Sequence, residues 1–102
     1  MTEYVSNYED VTSYTLDPQD EHRLLQVQKE CVFMWTNMSG EAFGVVMSYL
    51  PKDGNLWLTA AEHRARISAI RRFPRGSVCI SSAGTRMAPN KTVSYKGNCT
   101  VL

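Results

Sequence analysis

The residues best suited to chemistry lie in one short stretch, where a threonine is followed by a run of arginines. Thr59 and Glu62 have the S/T-x-x-E spacing of a capping box, in which both side chains accept hydrogen bonds from backbone N–H groups at a helix start. Arg64 and Arg66 come directly afterwards. Free N–H groups, the positive end of the helix dipole and two guanidinium groups together form a receptor for a phosphate. The stretch therefore predicts a site for a phosphate-bearing cofactor or ligand.

The distribution of charge favours an anionic ligand. The net charge of the 102 residues is +1, but residues 1–22 contain six acidic residues and no Lys or Arg. Residues 23–102 carry eleven Lys and Arg against four acidic residues. A basic folded part of this kind is typical of proteins that bind a phosphate-bearing cofactor or a nucleic acid.

The composition, 43% hydrophobic and 10% aromatic, indicates one folded domain. Cys31, Cys79 and Cys99 are far apart without a C-x-x-C pair, so they are predicted as small core residues rather than disulfide or zinc ligands. The sequence has no apolar run long enough for a membrane helix, and its N-terminus is too acidic for a signal peptide. We therefore expect a cytoplasmic protein with no metal site and no membrane partner.

The elements that position the arginines begin after a polar, acidic arm. We assign residues 1–16 to this arm and residues 17–102 to a single domain. Asp17 as the N-cap and Pro18 at the first helical position predict a helix that ends near Glu30.

Strand-forming residues dominate the middle and the end of the domain. The second strand is mostly apolar and is expected to be buried on both faces, and Pro51 and Gly54 are expected at the corners of the turn that follows it. The last strand alternates in period two. The predicted strands are residues 31–36, 42–50, 55–58, 77–81 and 92–102.

A crossover helix is predicted from Ala60 to about Arg72. Its apolar side, formed by Ala60, His63, Ile67 and Ile70, is expected to pack on the sheet. Antiparallel hairpins combined with one crossover helix indicate an α+β, barrel-like domain.

Four segments of the chain, taken in order, resemble the pyridoxamine 5'-phosphate oxidase-like flavin-binding split barrels. The resemblance covers roughly residues 18–102 and implies a split β-barrel of mainly antiparallel strands with an N-terminal helix and one crossover helix. The segments are Gly44-Val45-Val46-Met47-Ser48-Tyr49, Asp53-Gly54-Asn55-Leu56-Trp57-Leu58-Thr59, Arg64-Ala65-Arg66 and Arg71-Arg72-Phe73-Pro74.

The resemblance implies a flavin-dependent oxidoreductase that transfers hydride between FMN, or a deazaflavin, and a small organic substrate. It also implies a homodimer in which each flavin lies between two subunits. Arg66 occupies the family's phosphate position, Arg64 is a second contact, and Thr59 lies near the ribityl chain. No catalytic side chain is implied. The residues implied to lie along the isoalloxazine ring are Phe43, Gly44, Val45, Val46 and Met47.

The sequence departs from the family pattern in two places, and two other interpretations remain open. The proline common in the second strand near Gly44 is absent, and the family's C-terminal strands and helix have no counterpart after Leu102. One alternative is a non-catalytic split barrel, or one that binds heme or another tetrapyrrole. The other is a small nucleic-acid-binding barrel that uses the arginine helix, which the acidic arm disfavours.

Overall fold

The first helix begins where Asp17 and Pro18 predict. In the computed structural model, which describes residues 16–60 and 63–102, helix α1 spans Pro18–Val27 and the Asp17 carboxylate accepts a hydrogen bond from the Asp20 backbone N–H at 2.8 Å. Most of the predicted acidic arm, residues 1–15, lies outside the described residues, and Leu16 already packs against the core.

Helix α1 ends three residues earlier than predicted because Gln28 leaves the helical conformation. Its backbone is extended, with φ −82° and ψ 144°. The Gln28 amide oxygen accepts from the backbone N–H groups of Lys29 and Glu30, and its NH₂ group donates to the carbonyls of Ser81 and Ala83. This one side chain therefore ends α1 and ties the following segment to a distant strand.

The five strands form one curled antiparallel sheet, which confirms the α+β, barrel-like prediction. The strand order across the sheet is β3-β2-β1-β4-β5, so helix α2, which connects β3 to β4, crosses over β2 and β1. The elements after α1 are β1 (Glu30–Thr36), β2 (Ala42–Lys52), β3 (Asn55–Leu58), α2 (Ala65–Arg72), β4 (Arg75–Ser81) and β5 (Thr92–Asn98).

The β2–β3 hairpin has a tighter turn than predicted. Strand β2 continues through Pro51, which pairs with Leu56, so Pro51 does not form the corner of the turn. Asp53 and Gly54 form it, with φ values of 55° and 76°. Two central residues with positive φ are the hallmark of a type I′ turn, which matches the twist of the flanking strands.

Strand β2 is buried on one face only, contrary to the prediction. Met47 and Tyr49 are each 8% exposed, whereas Val46 and Leu50 are 61% and 58% exposed. Successive side chains of a strand point to opposite faces, and both helices pack on the same face. We call the helix-covered side the concave face and the other side the convex face. The core on the concave face consists of Leu24, Cys31, Phe33, Met47, Tyr49, Ile70, Val78 and Ile80.

Helix α2 begins at Ala65, five residues later than predicted. Strand β3 is an edge strand, and α2 packs next to the central strand β1, so the chain must cross part of the concave face before the helix starts. His63 consequently precedes the helix and is exposed, which contradicts its predicted position on the apolar side. Ile70 is buried and Ile67 is half-buried, which agrees with their predicted position on the apolar side of the helix.

The last strand is shorter than predicted. Strand β5 ends at Asn98, after which the Cys99 backbone N–H donates to the Pro74 carbonyl outside the strand. Val93 and Tyr95 nevertheless pack against the core, as the predicted alternation requires. Ser82, at the start of the preceding loop, is buried and binds the Ala88 carbonyl and the Lys91 N–H through its hydroxyl group.

Candidate functional site

A cavity of about 1110 Å³ lies on the concave face between the two helices. Its floor includes Phe33 of β1, Met47 of β2 and Val78 of β4. Helix α1 contributes one wall and helix α2 the other, while the β2–β3 hairpin and residues 98–102 complete the rim. The cavity is therefore a largely apolar trough whose polar groups come from the helices and the rim.

Arg66 contributes the cationic group of the α2 wall. The side chain is half-buried, and its Nε atom is buried without a hydrogen-bond partner among the described residues. A buried donor without an acceptor is costly, and most such groups in folded proteins are paired. An anion that displaced the atoms covering this Nε–H group would supply the missing acceptor, so the orphaned donor is compatible with a cofactor phosphate at Arg66.

The predicted partners of Arg66 are divided between the cavity and the protein surface. Thr59 lines the cavity although it is not a helix cap. Arg64 is the N-cap of α2, is exposed, makes no side-chain capping bond, and does not line the cavity. Residues two apart at a helix start do not face the same way, which explains the separation. The capping-box prediction is wrong for Thr59, and Glu62 lies outside the described residues.

The segment expected to lie along a flavin ring is also divided, because its side chains alternate between the two faces of β2. Met47 lines the cavity, and Val45 packs against the core beside it. Gly44 and Val46 belong to the convex face; a Cβ atom on Gly44 would lie 3.2 Å from Val32 Cγ1. A ligand in the cavity can therefore contact the side chain of Met47 but not that of Val46.

Phe43 belongs to a row of stacked aromatic rings rather than to the cavity lining. Its ring centroid lies 5.7 Å from that of Trp35, which in turn lies 5.9 Å from that of Phe33. Phe43 is 46% exposed, and Phe33 is buried at the cavity floor. The row thus extends from the cavity to the end of the β1–β2 hairpin.

Helix α1 supplies polar groups that the sequence interpretation missed. Glu21 and His22 line the cavity opposite α2, together with Tyr95 of β5. The Tyr95 hydroxyl donates to Glu21 Oε2, and burial, reinforced by this hydrogen bond, raises the pKa of Tyr95 well above its usual range. Tyr95 was identifiable as an inward-facing residue from the alternation of β5. Glu21 was interpreted only as a favourable charge in the first turn of a helix.

The remaining arginines of the α2 region lie on the surface. Arg71, Arg72 and Arg75 are exposed, and Arg75 Nη1 donates to Asn98 Oδ1 at 3.1 Å. The described residues contain no cluster of three or more His, Cys, Asp or Glu able to hold a metal ion. Within residues 16–60 and 63–102, neither helix is long and apolar enough to cross a membrane.

The comparison with known proteins gives no relative. The chain matches no family model, and no curated protein or solved structure matches it. The resemblance to flavin-binding split barrels therefore remains a hypothesis, and the candidate site stands on its own geometry.

Proposed function

We propose that this chain is a flavin-dependent oxidoreductase that binds FMN, or a deazaflavin, in the cavity between α1 and α2. The observation that supports the proposal is the buried Arg66 Nε atom, which has no acceptor among the described residues and belongs to a residue lining the cavity. The residue types and order along the chain, which resemble the split-barrel family, supply the identity of the anion.

In this proposal the protein provides binding, orientation and exclusion of water. When bound, a flavin supplies the hydride chemistry. Arg66 donates a charge-assisted hydrogen bond to the phosphate, and Thr59 also lines the cavity. The apolar floor removes water from one side of the ligand, which strengthens the electrostatic interactions inside the cavity.

The proposal predicts that Arg66 and Arg64 contribute unequally to cofactor binding. Arg66→Met keeps an apolar stem but removes the donors, so the affinity for FMN is expected to fall at least about tenfold. Arg64→Met, the matched control two residues away, is expected to change it less than about twofold, because Arg64 is exposed and lies outside the cavity lining. Titration of each purified variant with FMN, followed by flavin fluorescence, measures both affinities.

Three results would contradict the assignment. Equal FMN affinity in wild type and Arg66→Met would show that the phosphate does not bind at Arg66. A Soret band that dominates the absorption spectrum of the purified protein would show that the bound cofactor is a heme and not a flavin. Steeply salt-dependent binding of single-stranded nucleic acid, without FMN binding, would favour the third interpretation.

We further propose that the protein is a homodimer formed through the convex face. Val46 and Leu50 of β2 are exposed there. Val32 of β1 pairs with Val46 and is 36% exposed. Exposed apolar side chains on one face are typical of protein–protein interfaces. The split-barrel resemblance also implies a homodimer, but it places each flavin between two subunits, whereas an interface on the convex face leaves the concave cavity within one subunit. The predicted cytoplasmic location remains a prediction.

A further inference from the structure

The two walls of the cavity carry opposite charges. Arg66 is the cation of the α2 wall, whereas Glu21 is an acid of the α1 wall, with His22 next to it. The floor between them includes the apolar residues Phe33, Met47 and Val78, while Lys52 and Asp53 of the β2–β3 hairpin and Lys96 of β5 also line the cavity. A ligand that lies across this floor meets a positive group at one end and a carboxyl group at the other.

The Glu21 carboxyl group is oriented by a neighbour that occupies only one of its oxygen atoms. Tyr95 donates its hydroxyl hydrogen to Oε2. Because the pKa of the Tyr95 phenol is raised by burial and by Glu21, this hydroxyl group remains a donor across the neutral range. A carboxylate has about four lone-pair sites, so Glu21 retains acceptor capacity for a ligand.

We propose that Glu21 determines specificity for ligands with two unlike ends: an anionic group that binds Arg66 and an ammonium or N–H donor that binds Glu21. The inference rests on the proposed phosphate site at Arg66 and adds the chemical class of the opposite end. It excludes ligands whose far end is a carboxylate or a second phosphate, because these would place like charges against Glu21.

The test uses pairs of simple phosphate monoesters, so it does not depend on the identity of the cofactor. Each ω-aminoalkyl phosphate in a series of increasing chain length is compared with the alkyl phosphate of the same length, by calorimetric titration of the full chain. Wild type is expected to prefer the amino compound by about tenfold at the length that spans the cavity, the gain of one charge-assisted hydrogen bond. The alkyl phosphates have no ammonium group, so their binding measures the affinity of the Arg66 site by itself.

Three variants separate recognition by Glu21 from a merely structural contact. Glu21→Gln is expected to abolish the preference for the amino compound and to leave alkyl phosphate affinity unchanged. Tyr95→Phe removes the same contact between α1 and β5 but keeps the carboxylate, so the preference is expected to persist. Asp20→Asn is the matched control, because Asp20 faces Lys91 at 3.8 Å and does not line the cavity. Thermal unfolding of each variant verifies that it is folded.

The outcomes distinguish the two proposals. If alkyl phosphates bind with equal affinity to their amino counterparts in wild type, or if Glu21→Gln keeps the preference, the role of Glu21 is refuted while the phosphate site stands. If no phosphate monoester binds wild type at all, both proposals are refuted.

Discussion

Arg66 differs from the neighbouring arginines in the environment of its guanidinium group. It lies one turn before the buried Ile70 on the side of α2 that faces the sheet, and this brings its Nε atom below the surface. Arg64 precedes the helix and extends into solvent. Arg66 was predicted as a phosphate contact and lines the cavity, whereas its predicted pairing with Arg64 assumed a helix start at Ala60. The actual start depends on where α2 meets the sheet, which local residue types do not encode.

Cys31 is a buried thiol with a measurable consequence for stability at alkaline pH. It is 3% exposed, and burial, with a smaller contribution from Cys79, raises the pKa of its thiol from 9.0 to about 11. Between these values the unfolded chain releases the thiol proton while the folded chain retains it. The folded state therefore binds more protons, and the free energy of unfolding decreases as the pH rises through this range.

We predict that the urea midpoint of wild type falls between about pH 8 and about pH 10.5, and that it falls less in Cys31→Ala. Cys31→Ala is less stable at both pH values because the smaller side chain leaves a small cavity. The quantity to compare is therefore the change in urea midpoint between the two pH values in each protein. Tyr95, whose pKa is also raised, remains in both proteins and accounts for a residual decrease. Identical decreases in both proteins would contradict the role of Cys31.

At the scale of elements, signals that act within a few residues predicted structure well. Asp17 and Pro18 start α1 because the cap and the fixed proline φ are local effects. The bounds of β3 were predicted correctly for the same reason, since the Asp53-Gly54 turn precedes it directly. Thr59 and Glu62 have an equally good local pattern. The helix nevertheless does not start at Thr59, because the chain must first pass from the edge strand β3 to the centre of the sheet. The one-sided burial of β2 likewise depends on which face the helices cover.

The β4–β5 pair contains a close approach that requires glycine on one strand only. A Cβ atom at Gly76 would lie 2.9 Å from Phe33 Cε1 and 3.1 Å from Cys99 Sγ. The Phe33 ring is buried and stacked on Trp35, so it has little freedom to move. Gly97, which pairs with Gly76 across the ladder, has no atom within 4 Å of its corresponding position.

We predict that Gly76→Ala lowers the free energy of unfolding by about 1–3 kcal/mol through overpacking. Gly97→Ala, the matched control, is expected to be neutral or to stabilise by less than about 1 kcal/mol, since it only restricts the unfolded chain. Urea unfolding of the two variants measures the difference. Equal stabilities would show that the Phe33 ring moves freely and that the cavity floor is not rigid.

At the scale of the whole molecule, the sequence predicted the fold class but not the shape of the cavity. The order of hairpins and crossover helix was sufficient to predict an α+β domain with a curled antiparallel sheet. The cavity, however, combines residues that are remote in sequence, such as Glu21 and Tyr95, which are 74 residues apart. Such pairings depend on where α1 packs across the sheet, and no local sequence pattern in either helix predicts that position.

The convex face provides a prediction about assembly. Val46→Glu places a charge in the centre of the exposed apolar surface, so the variant is expected to be monomeric where wild type is dimeric, as measured by sedimentation velocity. Met38→Glu is the control, because Met38 is 84% exposed in the β1–β2 loop, away from the sheet. A monomeric wild type, or a dimer that survives Val46→Glu, would contradict the proposed interface.

The central claim is that the Arg66 Nε–H group donates to a ligand phosphate, and its own NMR signal tests this most directly. In a ¹⁵N-labelled full chain, the Nε–H resonance is assigned by its loss in Arg66→Met and followed during titration with FMN and, separately, with riboflavin, which lacks the phosphate. Saturating FMN is expected to shift the resonance strongly, whereas riboflavin is expected to leave it nearly in place. An Arg66 resonance that does not respond to FMN, or that responds equally to both compounds, would contradict the account.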